Sequence, residues 1–184
     1  MQSTADPNVE VITLGGGCFW CIEAVYLEVE GVVRVESGYA GGHVPDPSYE
    51  AVCSGETGHA EVVQVSFDRN RIRLEDVLAI FFTVHDPTTL NRQGHDVGTQ
   101  YRSAIYYGDE AQGEAVRRFV GDLARRELYD DPMVTEVVPL QRFWRAEDHH
   151  QRYFENHPNQ GYCVMVVAPK VQKFRKTHAA LRRK

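Results

Sequence analysis

The 184-residue chain lacks any apolar run long enough to span a bilayer, so no membrane association is expected. It lacks a basic leader followed by an apolar stretch: Met1 to Asn8 is polar throughout. No secretory signal is therefore expected, and the chain is assigned to the cytoplasm, where thiols stay reduced. Repeats of solenoid period and low-complexity linkers are absent. That leaves a single domain over residues 9–184 behind a flexible N-terminus, 1–8. Cysteine is scarce, with four residues. In a reducing compartment four cysteines read as catalytic, redox-active or metal-binding before they read as a disulfide framework. Excess positive charge is also missing: 20 basic against 26 acidic residues give a net charge of −6. Nucleic acid is thereby disfavoured as a partner. The basic end from Lys170 to Lys184 is the exception, and it reads as a solvated terminal helix. There is one Cys-x-x-Cys and no second. A structural zinc site wants four ligands. His149, His150 and His157 could supply imidazoles, but their spacing to the cysteines is not diagnostic, and no metal is expected.

What is present is concentrated early in the chain. Val9-Glu10-Val11-Ile12-Thr13-Leu14 reads as a strand and runs into Gly15-Gly16-Gly17-Cys18-Phe19-Trp20-Cys21, after which the spacing turns helical. A cysteine opening a helix meets unpaired N–H groups and the positive end of the helix dipole, which favour thiolate. Glycines let the backbone turn sharply and leave the sulfur open. Cys18 is thus the candidate nucleophile, against the common alternative of a buried free cysteine. Phe19 and Trp20 could line an apolar pocket beside it. Cys21 is either half of a thioredoxin-like dithiol or a core residue on the helix face.

Further strands are predicted at 32–38, 60–67, 102–107, 135–140 and 163–167, and helices at 19–27, 74–85, 110–128, 147–156 and 170–181. In 74–85 the residues Leu74, Val77, Leu78, Phe81 and Phe82 mark one face of an amphipathic helix. Strands and helices mix without a strict βαβ rhythm, which indicates an α+β fold. Two long segments, 38–58 and 86–99, have little regular pattern and read as ordered, site-building loops.

Several polar residues could carry chemistry. The run 60–67 sets Val63, Val65 and Phe67 against Glu61, Gln64 and Ser66, with Val62 breaking the alternation. On that pattern Glu61 is an outward-facing glutamate. Facing inward instead, it would be a general acid with a raised pKa. Tyr49, Asp96 and Tyr101 could hydrogen-bond a polar substrate oxygen or a water, although each alone is more often structural. Cys163, after Gly161-Tyr162, is either a resolving thiol or core packing, and Cys53 reads as structural.

Taken together and in order, these motifs resemble the A-type peptide methionine sulfoxide reductases. The resemblance covers nearly the whole chain. It rests on Gly17-Cys18-Phe19-Trp20, Gly38-Tyr39-Ala40-Gly41-Gly42, the stretch from Tyr49 to Gly55 with Thr57-Gly58-His59-Ala60-Glu61, and the stretch from His85 to Gly94. Asp96 to Ser103 and Gly161-Tyr162-Cys163 complete it. It implies a two-layer, ferredoxin-like plait around a mixed sheet. It implies reduction of the S epimer of methionine sulfoxide, free or in proteins, without a metal or organic cofactor. By the matching motifs Cys18 takes the catalytic position, Glu61 that of the acid, and Phe19 and Trp20 those of the methyl pocket. Tyr49, Asp96 and Tyr101 match the polar oxygen- and water-binding set, and Cys163 matches the resolving cysteine. A sulfenic acid on Cys18 would condense with Cys163 first, and thioredoxin would reduce the disulfide. Cys21 departs from the commoner glycine and is a second resolving or relay thiol, or inert. The protein is expected to be a monomer. The competing readings are a general thiol–disulfide oxidoreductase using Cys18 and Cys21, and a zinc-binding interaction module.

Overall fold

The computed structural model describes residues 6–184, so part of the expected flexible terminus, 1–5, lies outside the described residues. Eight strands and six α-helices follow in this order: β1 Val9–Gly15, α1 Phe19–Tyr26, β2 Val32–Ala40, α2 Tyr49–Cys53, β3 Ala60–Asp68, α3 Leu74–Val84, β4 Arg92–Gln93, β5 Asp96–Val97, β6 Ala104–Tyr107, α4 Glu110–Arg125, β7 Glu136–Pro139, β8 Trp144–Arg145, α5 Tyr153–Asn156 and α6 Ala168–Thr177. Six strands form one sheet in the order β7-β6-β1-β3-β2-β8, while β4 and β5 pair as a small hairpin. The β6–β7 pairing is parallel and the other four in the sheet are antiparallel, so the sheet is mixed and the fold α+β.

The sheet buries both faces unequally. Ile12, Leu14, Val63, Val65 and Phe67 join residues of α1, α3 and α6 in the main core, whereas Ala40, Ala60, Val62, Ala104 and Tyr106 make a smaller one. The amphipathic stripe expected for α3 buries Val77, Leu78, Phe81 and Phe82. The buried Tyr26 hydroxyl donates to the Val77 carbonyl at 2.6 Å, tying α1 to α3. No helix among the described residues is long and apolar enough to cross a membrane.

The strand expected at 163–167 is helical. Cys163–Val167 is a π-turn that runs directly into α6. The buried positions Cys163, Val167, Val171 and Phe174 recur every three or four residues, a helical spacing that the β-branched composition concealed. Pro169 explains the wide turn: it has no N–H to donate and would crowd an ordinary i→i−4 ladder. The Ala168 N–H instead reaches the Cys163 carbonyl. The helix expected at 147–156 is broken. Asp148–His150 is a short 3-10 turn, Arg152 has a left-handed φ of 53°, and α5 follows. Gln151 causes the break. Its side-chain amide accepts from the Ser37 N–H and donates to the Ser37 and Ala146 carbonyls, which pins the chain to β2. The basic C-terminus folds back: Arg175 pairs with Glu28, and Arg183 donates to the carbonyls of Val29 and Val32. The two long loops are partly regular, since they contain α2 and the β4–β5 hairpin.

Candidate active site

The turn between β1 and α1 sits in the interior. Gly17 has φ +93°, and a Cβ there would lie 2.7 Å from the Gln93 side chain, so both conformation and space require glycine. A Cβ on Gly16 would lie 3.0 Å from the His85 and Phe81 rings. The turn delivers Cys18 as the N-cap of α1, as the sequence indicated.

The charge state of Cys18 differs from the expected thiolate. Burial, then its hydrogen bond with Cys21, then the proximity of Glu61 push the Cys18 thiol well up, outweighing the favourable Trp20 N–H. At rest this sulfur is protonated. Desolvation of the charged form exceeds what one helix terminus supplies. Cys21 lies one turn on, fully buried, and the hydrogen bond from Cys18 lowers its pKa. Tyr162 also hydrogen-bonds Cys21, and Lys170 on α6 adds positive potential.

Glu61 is buried, not outward as its sequence pattern suggested. Strict period-2 parity puts residue 61 on the face of Val63, Val65 and Phe67, toward α1. β3 is also a central strand with Ala60 and Val62 buried on its other face, which erased the alternation. One Glu61 oxygen accepts the Phe19 N–H at 3.2 Å, and the other makes no hydrogen bond to the protein. Burial pushes its pKa up to about 8 despite that bond, so the carboxyl carries a proton at neutral pH.

The tyrosines converge on this carboxyl. Tyr49, at the start of α2, and Tyr101, in the 3-10 turn Thr99–Tyr101, are both raised by burial first and by Glu61 next. Asp96 accepts the Tyr162 hydroxyl at 2.6 Å. Phe19 is buried against Tyr39 and Tyr49, with ring centroids 5.8 and 6.2 Å away. Trp20 is half-buried and lies flat on Tyr153, centroids 3.7 Å apart and planes 5° from parallel. Cys163 is buried, hydrogen-bonded to the Gln160 side chain at 3.4 Å, with its thiol raised by burial and then by Cys21. Cys53 is exposed and contacts Tyr49.

Sequence reasoning missed a further group. His150, considered only as an imidazole for a metal, accepts the Trp20 indole N–H on Nδ1 at 3.2 Å. Glu147 receives the Tyr39 hydroxyl at 2.9 Å and the Tyr49 N–H at 3.2 Å. Buried Glu23 receives the Ser37 hydroxyl on one oxygen at 3.1 Å, and its other oxygen has no hydrogen-bond partner in the protein. A lone polar residue in a short irregular segment leaves no periodic signal, so nothing in the sequence separated Glu147 and His150 from surface residues.

A helix-capping cysteine in contact with a second thiol, facing a protonated carboxyl in a mixed α+β fold, defines the class: a thiol-dependent oxidoreductase. The sequence profile of the peptide methionine sulfoxide reductases matches residues 10–182. The chain is 54% identical over 169 residues to peptide methionine sulfoxide reductase MsrA of Polynucleobacter asymbioticus, covering 92% of this chain and 89% of that protein. Its fold matches methionine sulfoxide reductase A of Corynebacterium diphtheriae with a TM-score of 0.81 at 36% identity, covering 88% of this chain and 80% of that one. It also matches Mxr1 of Saccharomyces cerevisiae in complex with Trx2, with a TM-score of 0.55 at 25% identity over 80% of this chain and 87% of that one. The chain therefore belongs to the peptide methionine sulfoxide reductase family.

Proposed function

We propose that the protein reduces the S epimer of methionine sulfoxide, free or within proteins, to methionine, with a thioredoxin as its reductant. The observation that carries this is Glu61, an inward carboxyl kept protonated up to about pH 8 beside the Cys18 sulfur. A sulfoxide sulfur is electrophilic, but its oxygen leaves only when protonated. Cys18 sulfur attacks the sulfoxide sulfur, and Glu61 delivers its proton to the departing oxygen. The Cys18 thiol proton goes to the carboxylate left behind. The departed oxygen, as hydroxide, then adds to the Cys18 sulfur and breaks the S–S bond just formed, which releases methionine and leaves a sulfenic acid on Cys18. Tyr49 and Tyr101 hydrogen-bond the oxygen as charge gathers on it, and Asp96 orients the Tyr162 hydroxyl. Phe19 and Trp20 hold the S-methyl group by apolar and sulfur–aromatic contact.

Resolution runs through Cys21. Its thiol already hydrogen-bonds Cys18, and an i, i+3 spacing on a helix brings two sulfurs within bridging reach. Cys21 condenses with the sulfenic acid and expels water. Cys163, whose thiol is raised by burial and then by Cys21, exchanges into the disulfide next. The resemblance to the family placed Cys163 first; the contact between Cys18 and Cys21 is what favours Cys21 as the first partner. Val164 and Met165 beside Cys163 are 52% and 79% exposed, which offers the thioredoxin an approach to that end of the relay. The Trx2 complex of the yeast relative supports such a partner.

The strand order β6-β1-β3-β2, with α1 and α3 as the two crossovers, supports reading the centre as a ferredoxin-like plait with β7 and β8 added at its edges. We read residues 9–184 as one domain acting as a cytoplasmic monomer, without metal or organic cofactor. The test uses separated sulfoxide epimers, a thiol count and disulfide mapping after one turnover. The proposal expects consumption of the S epimer only and loss of two thiols. In Cys163→Ser it expects a Cys18–Cys21 disulfide that thioredoxin recycles poorly. A sulfenic acid persisting in that variant overturns the order, and turnover of the other epimer overturns the substrate assignment.

A further inference from the structure

We propose that His150 is a positioning residue that fixes the Trp20 indole and thereby sets the enzyme's discrimination for an S-methyl group. This rests on reading Trp20 as one wall of the methyl pocket. His150 is buried, and its ring sits among Tyr49, Phe19, Trp20 and Tyr153 at centroid distances of 4.3, 5.4, 5.8 and 6.5 Å. Its Nδ1 accepts the only hydrogen that an indole can donate. That bond sets the tautomer: the ring is neutral, and its proton resides on Nε2. The stack on Tyr153 fixes the tilt of the indole plane, but a stacked ring can still rotate within that plane. The hydrogen bond from Nε1 removes this freedom. A six-membered edge swung by even an ångström changes whether the pocket closes on one carbon or admits two.

The segment carrying His150 is held at two points. Gln151 is bonded to the backbone of Ser37 and Ala146, and Glu147 to Tyr39 and the Tyr49 N–H, while the Ser37 hydroxyl donates in turn to Glu23 on α1. These anchors reach β2 and α2 directly and α1 through Ser37, the elements that carry the rest of the pocket. The indole is therefore referenced to the same frame as Cys18 and Phe19.

The charged and titratable groups around the ring are Glu147 and His149 on its own segment, Tyr49 and Glu50 on α2, and Tyr153 on α5. Burial, then His149, lower the His150 pKa against the pull of Glu147 and Glu50. Protonation would set an Nδ1–H against the indole N–H, two donors face to face, and release Trp20. The neutral ring therefore holds through the neutral range, and the hold fails only in acid.

The test compares single-turnover kcat/KM for methionine sulfoxide and for its S-ethyl homologue in wild type, His150→Ala, His150→Gln and Trp20→Leu. His150→Ala should lose about tenfold on the methyl substrate, the cost of one buried unpaired donor, chiefly through KM. The methyl-to-ethyl ratio should collapse toward one. His150→Gln presents a carbonyl oxygen to the indole and should recover most of the ratio. It should also lack the acid-side fall in ratio that wild type shows below the ordinary histidine range. A ratio unchanged in His150→Ala while Trp20→Leu alters it overturns the inference alone. A ratio unchanged in Trp20→Leu overturns the pocket reading beneath it. Failure of His150→Gln to recover the ratio, with the fold intact, also counts against the inference, because it reduces His150 to a space filler.

Discussion

Glu61 and His85 flank the same glycine turn, and both are buried and uncharged at neutral pH, yet they are built differently. His85 has both ring nitrogens engaged: one donates to the Phe81 carbonyl at 2.6 Å, and the other accepts from the Ser103 hydroxyl at 2.8 Å. Burial pushes its pKa down to about 4. Glu61 has one oxygen on the Phe19 N–H and the other bonded to nothing in the protein, and burial pushes it up to about 8. A buried polar group with every site satisfied is scaffold. One kept neutral with an atom in reserve can hand over a proton. The comparison teaches that burial alone does not mark a reactive group; Glu23 and His150 also keep one buried atom unpaired, so unused hydrogen-bonding capacity marks a proton donor only beside the reacting sulfur, where Glu61 stands.

The sharpest way to break this contrast is through rate. Glu61→Gln keeps the shape and the Phe19 hydrogen bond but has no proton to give. Rapid-quench measurement of sulfenic acid formation should show a fall of about 10²–10⁴-fold, the usual contribution of a general acid. In wild type the same step should lose about tenfold per pH unit above roughly pH 8, as the carboxyl ionises. An unchanged rate in the variant would put Glu61 beside His85 as scaffold. His85→Leu should do the reverse. It fills the space but strands the Phe81 carbonyl and the Ser103 hydroxyl, and denaturant titration should show a loss of about 2–4 kcal/mol. Its sulfenic acid step should stay within about threefold of wild type, far short of a general-acid loss.

Most of the fold and half of the site were legible in the sequence, and the misreadings have physical causes. The strand–glycine–cysteine–helix start was legible because glycine requirement and helix capping are local. Glu61 was legible by parity, since residues 61, 63, 65 and 67 share a face, but the burial of Ala60 and Val62 on the other side of a central strand hid it. Cys163 was misread because a run of valines looks like a strand, although the spacing of Cys163, Val167, Val171 and Phe174 is helical. His150 and Glu147 were not legible at all. Their roles come from meeting Trp20, Tyr39 and Tyr49 across more than ninety residues of chain, and no local pattern encodes that.

Stability against pH should separate the two residues by sign. Glu61 has a folded pKa above its unfolded value, so the folded state binds the extra proton and stability falls as pH rises from about 4.5 to about 8. His85 has a folded pKa below its unfolded value, so stability falls as pH drops from about 6.5 to about 4. Glu61→Gln should therefore gain on wild type steadily across the first window, by on the order of a few kcal/mol at its alkaline end. His85→Leu should lose least, relative to wild type, at the acid end of the second. Parallel curves for wild type and Glu61→Gln would mean that the carboxyl is ionised at rest.

The smallest effect belongs to Ser103, and it tests how complete the scaffold around His85 is. The Ser103 hydroxyl bridges the His85 ring and the Thr135 hydroxyl, each at 2.8 Å. With Nδ1–H committed to the Phe81 carbonyl, Nε2 can only accept, so Ser103 must donate to His85 and accept from Thr135. Ser103→Ala leaves Nε2 without a donor and Thr135 without an acceptor, but Thr135 is only half-buried and can turn to solvent. The expected cost is about 1 kcal/mol, one net hydrogen bond. The unpaired Nε2 would then resemble the free oxygen of Glu61, and the His85 pKa should rise, because a protonated ring no longer has to displace an incoming O–H donor. NMR titration of the His85 ring reads this directly. A pKa that stays at the wild-type value would show that burial, and not the satisfied hydrogen-bonding shell, keeps His85 neutral, and the contrast with Glu61 would then rest on geometry alone.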